Sequence, residues 1–189
     1  MQARALEHTV QRLDGRWSQY PGPMPFAEIS FYNVVLFVHI GAVVLAFGVT
    51  FSFPIVLGVA RRSYERHLGF YHRVQALIGR RLIGPLGGLV LLAGLYLAIE
   101  GPYEFGDPWI GTSLLLLVII LGVGGGYMGP REERLAEMAE RDLAASPAEG
   151  AVSFGQDYEG LFAKVRNVNL VLNALILIAI FLMVTKPGA

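Results

Sequence analysis

The sequence predicts an all-α protein: a transmembrane four-helix bundle with a short N-terminal interfacial helix and a cytoplasmic amphipathic helix. Residues 34–60, 82–99, 108–130 and 167–185 contain no Asp, Glu, Lys or Arg. A helix needs roughly 20 mostly apolar residues to cross a hydrocarbon core of ~30 Å. No water satisfies backbone groups there, so each run must close its own hydrogen bonds as a helix. The chain has 189 residues and is 54% hydrophobic, which leaves little sequence for a separate soluble module.

The elements follow in chain order. Residues 1–30 form an extracytoplasmic amphipathic segment. Leu6, Val10 and Leu13 recur at helical spacing, followed by Trp17 and Tyr20, as in a helix lying on a membrane interface. The run Pro21-Gly22-Pro23-Met24-Pro25 breaks it. A four-helix membrane domain spans 31–188, with crossings expected at about 33–59, 79–99, 109–128 and 166–185. The first crossing is long enough to serve as its own anchor. Phe31 and Tyr32 sit where an interfacial aromatic belt belongs.

Small residues should hold the crossings together, because hydrophobicity gives helices in lipid no reason to associate. The first crossing offers Gly41 with Gly48 and Ala42 with Ala46, the second Gly84, Gly87, Gly88 and Gly94. Pro54 should kink the first. Gly122, Gly124, Gly125 and Gly126 should loosen the end of the third. Residues 131–165 form a cytoplasmic connection. There the stripe Leu135, Met138, Ala139 and Leu143 reads as a helix on the membrane surface, with Glu137 paired to Arg141. Ser146-Pro147 should end that helix. Ser153 and Gln156, at capping-box spacing, should start the last one before it meets the membrane.

Charge sets the expected orientation. Eleven basic residues lie in the two connections holding Arg61–Arg81 and Arg131–Arg166, against four elsewhere. Basic residues near spans stay on the cytoplasmic side, so both termini are expected outside. Net formal charge is zero and cysteine is absent. The first argues against nucleic acid as a partner. The second excludes disulfides, thiolate metal sites and cysteine nucleophiles.

Polar residues at depth are the candidate functional groups. His39 lies six residues into the first run, about 9 Å along the helix axis. Tyr96 and Met183 reach a similar level, which defines an outer-leaflet candidate site for haem or another ligand; His39 hydrogen-bonded to a neighbour is the structural alternative. A second candidate lies at the opposite face. Arg166, Asn169 and Asn173 form one stripe on the fourth helix, and Arg80 and Arg81 belong to the same layer. That group suits lipid headgroups or another anionic ligand. No catalytic constellation and no cluster with metal-ligand spacing is present in the sequence.

Several short motifs add a resemblance. They are Val38-His39-Ile40-Gly41-Ala42 in the first crossing, GRRLIGPLGGLVLLAGLYLAIEG over Gly79–Gly101, and Phe105-Gly106-Asp107-Pro108-Trp109. Gly129-Pro130-Arg131 and Phe181-Leu182-Met183-Val184-Thr185-Lys186-Pro187 follow. Together they resemble a bacterial family of integral membrane proteins, domain of unknown function 2269, over roughly residues 30–188. That resemblance implies a multi-pass protein of the bacterial cytoplasmic membrane. More distantly, His39 is similar to a histidine of the copper resistance protein D membrane domain and of the membrane protoporphyrinogen oxidase, which implies haem b as a cofactor. The expected function is a non-enzymatic small-ligand binder or an accessory subunit of a membrane complex. A haem b redox protein using His39 and an oligomeric transporter or channel are the alternatives. The expected partners are the lipid bilayer and either further copies of the chain or a larger membrane complex.

Overall fold

The computed structural model describes residues 30–104 and 106–188. The predicted interfacial helix, with Trp17 and Tyr20, lies outside the described residues. The rest folds into four long helices: α1 (Phe31–Ser63), α2 (Glu65–Glu100), α3 (Pro108–Ala145) and α4 (Gln156–Thr185). Each is long and apolar enough to cross a membrane, and no strand occurs among the described residues.

The helices run further than the apolar runs that predict them. α2 and α3 hold 36 and 38 residues, or about 54–57 Å at 1.5 Å per residue, against ~30 Å of hydrocarbon. Their excess lies at the arginine-rich end. Residues 65–78, expected in a connection, prolong α2, and 131–145 prolong α3. The turn from α1 to α2 needs only Tyr64 (φ −139°, ψ 37°). A charged stretch marks where hydrocarbon ends, whereas a helix continues wherever one of its faces is buried.

That buried face is visible in the sequence spacing. Leu68, His72, Gln75 and Ala76 line one side of α2, and all are buried. Leu135, Ala136, Met138 and Ala139 answer from α3. The stripe read as a membrane-surface helix is amphipathic as expected, but it packs inward on α2 and α4. Leu57, Leu68, Leu135, Tyr158 and Phe162 join one core there. A second core, with Ala42, Ala46, Phe47, Val90, Leu117 and Ile176, lies in the apolar half. Large side chains such as Phe37, Leu92 and Val184 stay exposed around it, as befits a surface solvated by lipid.

The small-residue pairs divide. Ala42 and Ala46 are buried, while a Cβ at Gly41 or Gly48 would meet open space. On α2, a Cβ at Gly87 would come within 2.3 Å of Leu121 Cδ2, so this glycine sets the approach of α2 to α3.

The connector from α3 to α4 is tied at several points. α3 stops at Ala145, with Ser146 extended ahead of Pro147. Arg66 donates to the carbonyls of Pro147 (2.6 Å) and Gly150 (3.1 Å), and Glu65 Oε1 accepts the Val152 amide at 2.8 Å. Two local expectations change. Arg141 turns to the adjacent Asp142, at 2.9 Å, instead of Glu137. α4 does begin before the apolar run, but its N-cap is Gly155, not Ser153. The Gly155 amide donates to Asp142 Oδ2 at 2.8 Å, so α3 supplies the carboxylate that a capping box would have supplied locally. At the other end, Lys186 donates to the Tyr103 hydroxyl, and Tyr103 meets Trp109 edge-on with ring centroids 5.2 Å apart.

Candidate functional site

Three helices lose α-geometry where a proline removes a donor. In α1, Pro54 cannot bond the Thr50 carbonyl, and Val49–Ser52 tightens to a 3₁₀ turn in which the Phe53 amide takes that carbonyl. Asn173 on α4 completes the repair. Its Nδ2 donates to the Thr50 carbonyl at 3.4 Å, and its Oδ1 lies 2.8 Å from the Thr50 hydroxyl. A neighbouring helix satisfying a proline-freed group is what makes proline tolerable inside a membrane.

α2 and α3 share a more unusual device. Gly79-Arg80-Arg81-Leu82-Ile83-Gly84-Pro85 and Gly124-Gly125-Gly126-Tyr127-Met128-Gly129-Pro130 have one pattern, Gly-x4-Gly-Pro. Both are π-helical, over Gly79–Ile83 and Val123–Met128. The glycine before each proline donates to the glycine five residues back, Gly84 to Gly79 and Gly129 to Gly124. The carbonyl one residue on, at Arg80 or Gly125, then has no helical donor. Its α-partner is already used, and its π-partner is proline. Isolated π-turns inside α-helices are rare and gather at functional sites. α2 and α3 run antiparallel, and these two turns pack against each other.

Beside them lies a cavity of about 330 Å³ bounded by all four helices, within the range of small-molecule sites. Twenty residues line it, six of them glycines, so backbone rather than side chain forms much of its wall. Gln75, Asn169, Asn173, Thr50 and Glu132 supply its polar groups. Gln75 is 6% exposed and neither its Oε1 nor its Nε2 has a partner; Asn169 is 7% exposed and its Oδ1 has none. A second cavity, of about 370 Å³, adjoins the first toward the arginine-rich end. Arg61, Arg62 and Arg166 line it, and Glu132 and Asn169 line both.

Glu132 anchors a buried relay. His72 Nδ1 lies 2.6 Å from Glu132 Oε2, and His72 Nε2 lies 3.0 Å from the Tyr158 hydroxyl. His72 and Tyr158 are fully buried and Glu132 is 4% exposed. Burial pushes the Tyr158 phenol up from its ordinary value, so it stays an O–H donor. Counting hydrogens assigns the tautomer: Tyr158 donates to Nε2, and Nδ1–H donates to Glu132.

The residues singled out from sequence separate accordingly. Asn169 and Asn173 line the glycine-rich cavity, and Arg166 lines its arginine-rich neighbour. Arg80 and Arg81 are exposed and line neither; Arg80 pairs with Glu133 at 2.7 Å. His39 is buried away from both cavities. Its Nδ1–H donates to the Val90 carbonyl at 3.1 Å, and its ring sits where a Cβ on Gly94 would stand, 2.9 Å from Cε1. Tyr96 and Met183 are half-buried on α2 and α4. Gln75, Glu132 and Tyr158 went unrecognised because they sit in stretches read as charged connections. The repeated Gly-x4-Gly-Pro was the signal that could have located them.

Comparison with known proteins gives one result. Residues 33–187 match the family model described as Predicted integral membrane protein (DUF2269). No curated protein and no solved structure matches.

Proposed function

Because the chain belongs to this family of integral membrane proteins, we propose that it binds a small amphipathic ligand inside its bundle, in the glycine-lined cavity beside the two π-turns. The observation that supports this reading is the Gln75 amide, 94% buried in an apolar surround with every hydrogen-bonding atom unpaired. Leaving such a group unsatisfied costs on the order of 1–3 kcal/mol per atom. A bound polar group would recover that energy, and the apolar wall would take the rest of the ligand. The arginine-rich end faces the cytoplasm by the positive-inside rule, which puts the second cavity on that side as a vestibule. His39 acts in this reading as an interhelical tie, not as a ligand to haem.

Native mass spectrometry of the protein, extracted gently from membranes, tests the binding. Gly125 lines the cavity and a Cβ there meets nothing within 4 Å, so Gly125→Leu adds bulk at the cavity wall from an open position. The wild type should carry a small-molecule adduct that Gly125→Leu lacks. A bare wild type, or an equal adduct in both, contradicts the proposal.

A further inference from the structure

We infer that the glycine-lined cavity selects a ligand bearing an ammonium or guanidinium group, held by the Glu132 carboxylate and by carbonyl oxygens around it. This inference rests on the binding reading above and names the chemical class.

The wall is rich in acceptors. Among the described residues Glu132 is the only ionisable one lining this cavity, so no lysine or arginine shares this wall with it. One of its oxygens takes the His72 hydrogen bond. Tyr158, the other partner of that imidazole, brings no charge of its own. Asn169 Oδ1 and Gln75 Oε1 are buried acceptors without donors. Gly125, whose carbonyl lost both its α- and π-helical donors, lines the same wall. Gln75 Nε2 is the one unpaired buried donor in the set.

A cation with several N–H groups matches three neutral acceptors and a carboxylate. An anion would meet the carboxylate in a low dielectric, where repulsion is strongest. Unwound helix carbonyls beside a buried acid are a general way to hold cations at membrane depth. The volume, about 330 Å³, exceeds what a bare ion fills, so the charge should sit on an organic body that occupies the apolar remainder. Arg61, Arg62 and Arg166 line the neighbouring cavity, which Glu132 also borders, but among the described residues none of them forms a salt bridge with Glu132, and Arg61 is paired with Glu159.

The test uses three probes of one shape, 4-phenylbutylamine, 4-phenylbutanol and 4-phenylbutyrate, titrated at pH 7 into the full-length protein in phosphatidylglycerol nanodiscs. The amine should bind at least tenfold tighter than the alcohol, and the butyrate should not bind. Glu132→Gln should bring amine and alcohol within about twofold of each other. Asn169→Leu, which leaves the His72 relay intact, should weaken the amine several-fold should Glu132→Gln fail to fold. Repeating the titration with phosphatidylethanolamine in the disc identifies the source: competition points to a lipid headgroup, and its absence to a free amine. Alcohol binding as tight as amine, or butyrate binding tighter, overturns the cation inference and leaves the binding proposal standing. Silence from all three probes, with Gly125→Leu melting like the wild type, removes both.

Discussion

A single phenolic hydrogen sets the direction of the hydrogen bonds through the buried relay of Tyr158, His72 and Glu132. Tyr158 sits fully buried against His72, with Phe154 stacked 4.7 Å from its ring on one side and Phe162 at 5.8 Å on the other. Its hydroxyl gives His72 Nε2 a donor, which commits the other ring nitrogen to Glu132. Tyr158→Phe keeps the packing and removes only that hydrogen bond. His72 Nε2 would then be a buried atom without a partner, and the variant should lose about 1–3 kcal/mol of stability, read from its thermal midpoint in detergent. A midpoint equal to that of the wild type would show that the tautomer is set some other way. Nothing about Tyr158 or Glu132 stands out in the sequence, where each is one polar residue in a charged stretch. His39, conspicuous there as a histidine in an apolar run, proves in three dimensions to be tied to a helix carbonyl across from Gly94. Sequence displays depth in hydrocarbon, but burial against protein outside the hydrocarbon depends on partners far along the chain.

At the scale of elements, prolines and glycines explain most departures from regular helix. Pro54, Pro85 and Pro130 each remove a donor, and the chain responds with a 3₁₀ turn once and π-turns twice. A disturbance at Pro54 was legible because proline's missing N–H is a local fact, and it takes the form of the 3₁₀ turn over Val49–Ser52. The π-turns were not, since they need the glycine that rebonds five residues back and a facing helix with room to accept the bulge. The helix ends show the same division. Ser146-Pro147 stops α3 locally, whereas the start of α4 depends on Asp142, thirteen residues before Gly155. The Gly155 amide, aided by the Arg141 guanidinium, holds the Asp142 carboxyl below its usual range. A group whose folded value is lowered stabilises fully above its unfolded value, about 3.9 for Asp, and loses that contribution as pH falls through the lowered one. Hydrogen exchange at Gly155 should therefore accelerate, relative to the rest of α4, as pH drops below about 4. In Asp142→Asn that relative acceleration should be absent, and its persistence would place the acid sensitivity elsewhere.

For the whole molecule, the four candidate spans and the absence of strands among the described residues followed from charge-free runs alone, because the bilayer leaves so few backbone solutions. What the runs could not show is that α2 and α3 continue beyond the hydrocarbon and zip together through Leu68, Leu135 and Met138. That continuation brings Gln75, His72 and Glu132 alongside Asn169 and places two cavities of opposite character end to end. The candidate inner layer divides for the same reason: Asn169 and Asn173 turn inward, while Arg80 and Arg81 stay at the surface. The proposed binding makes the glycine-lined cavity an occupied site in the native membrane. An experimental structure of the protein in native-lipid nanodiscs, at a resolution that shows side-chain partners, tests it most directly. Density is expected between the two π-turns, within hydrogen-bonding distance of Gln75 and Asn169. A collapsed cavity, with Gln75 and Asn169 bonded to each other and both π-turns relaxed to α-helix, would contradict it.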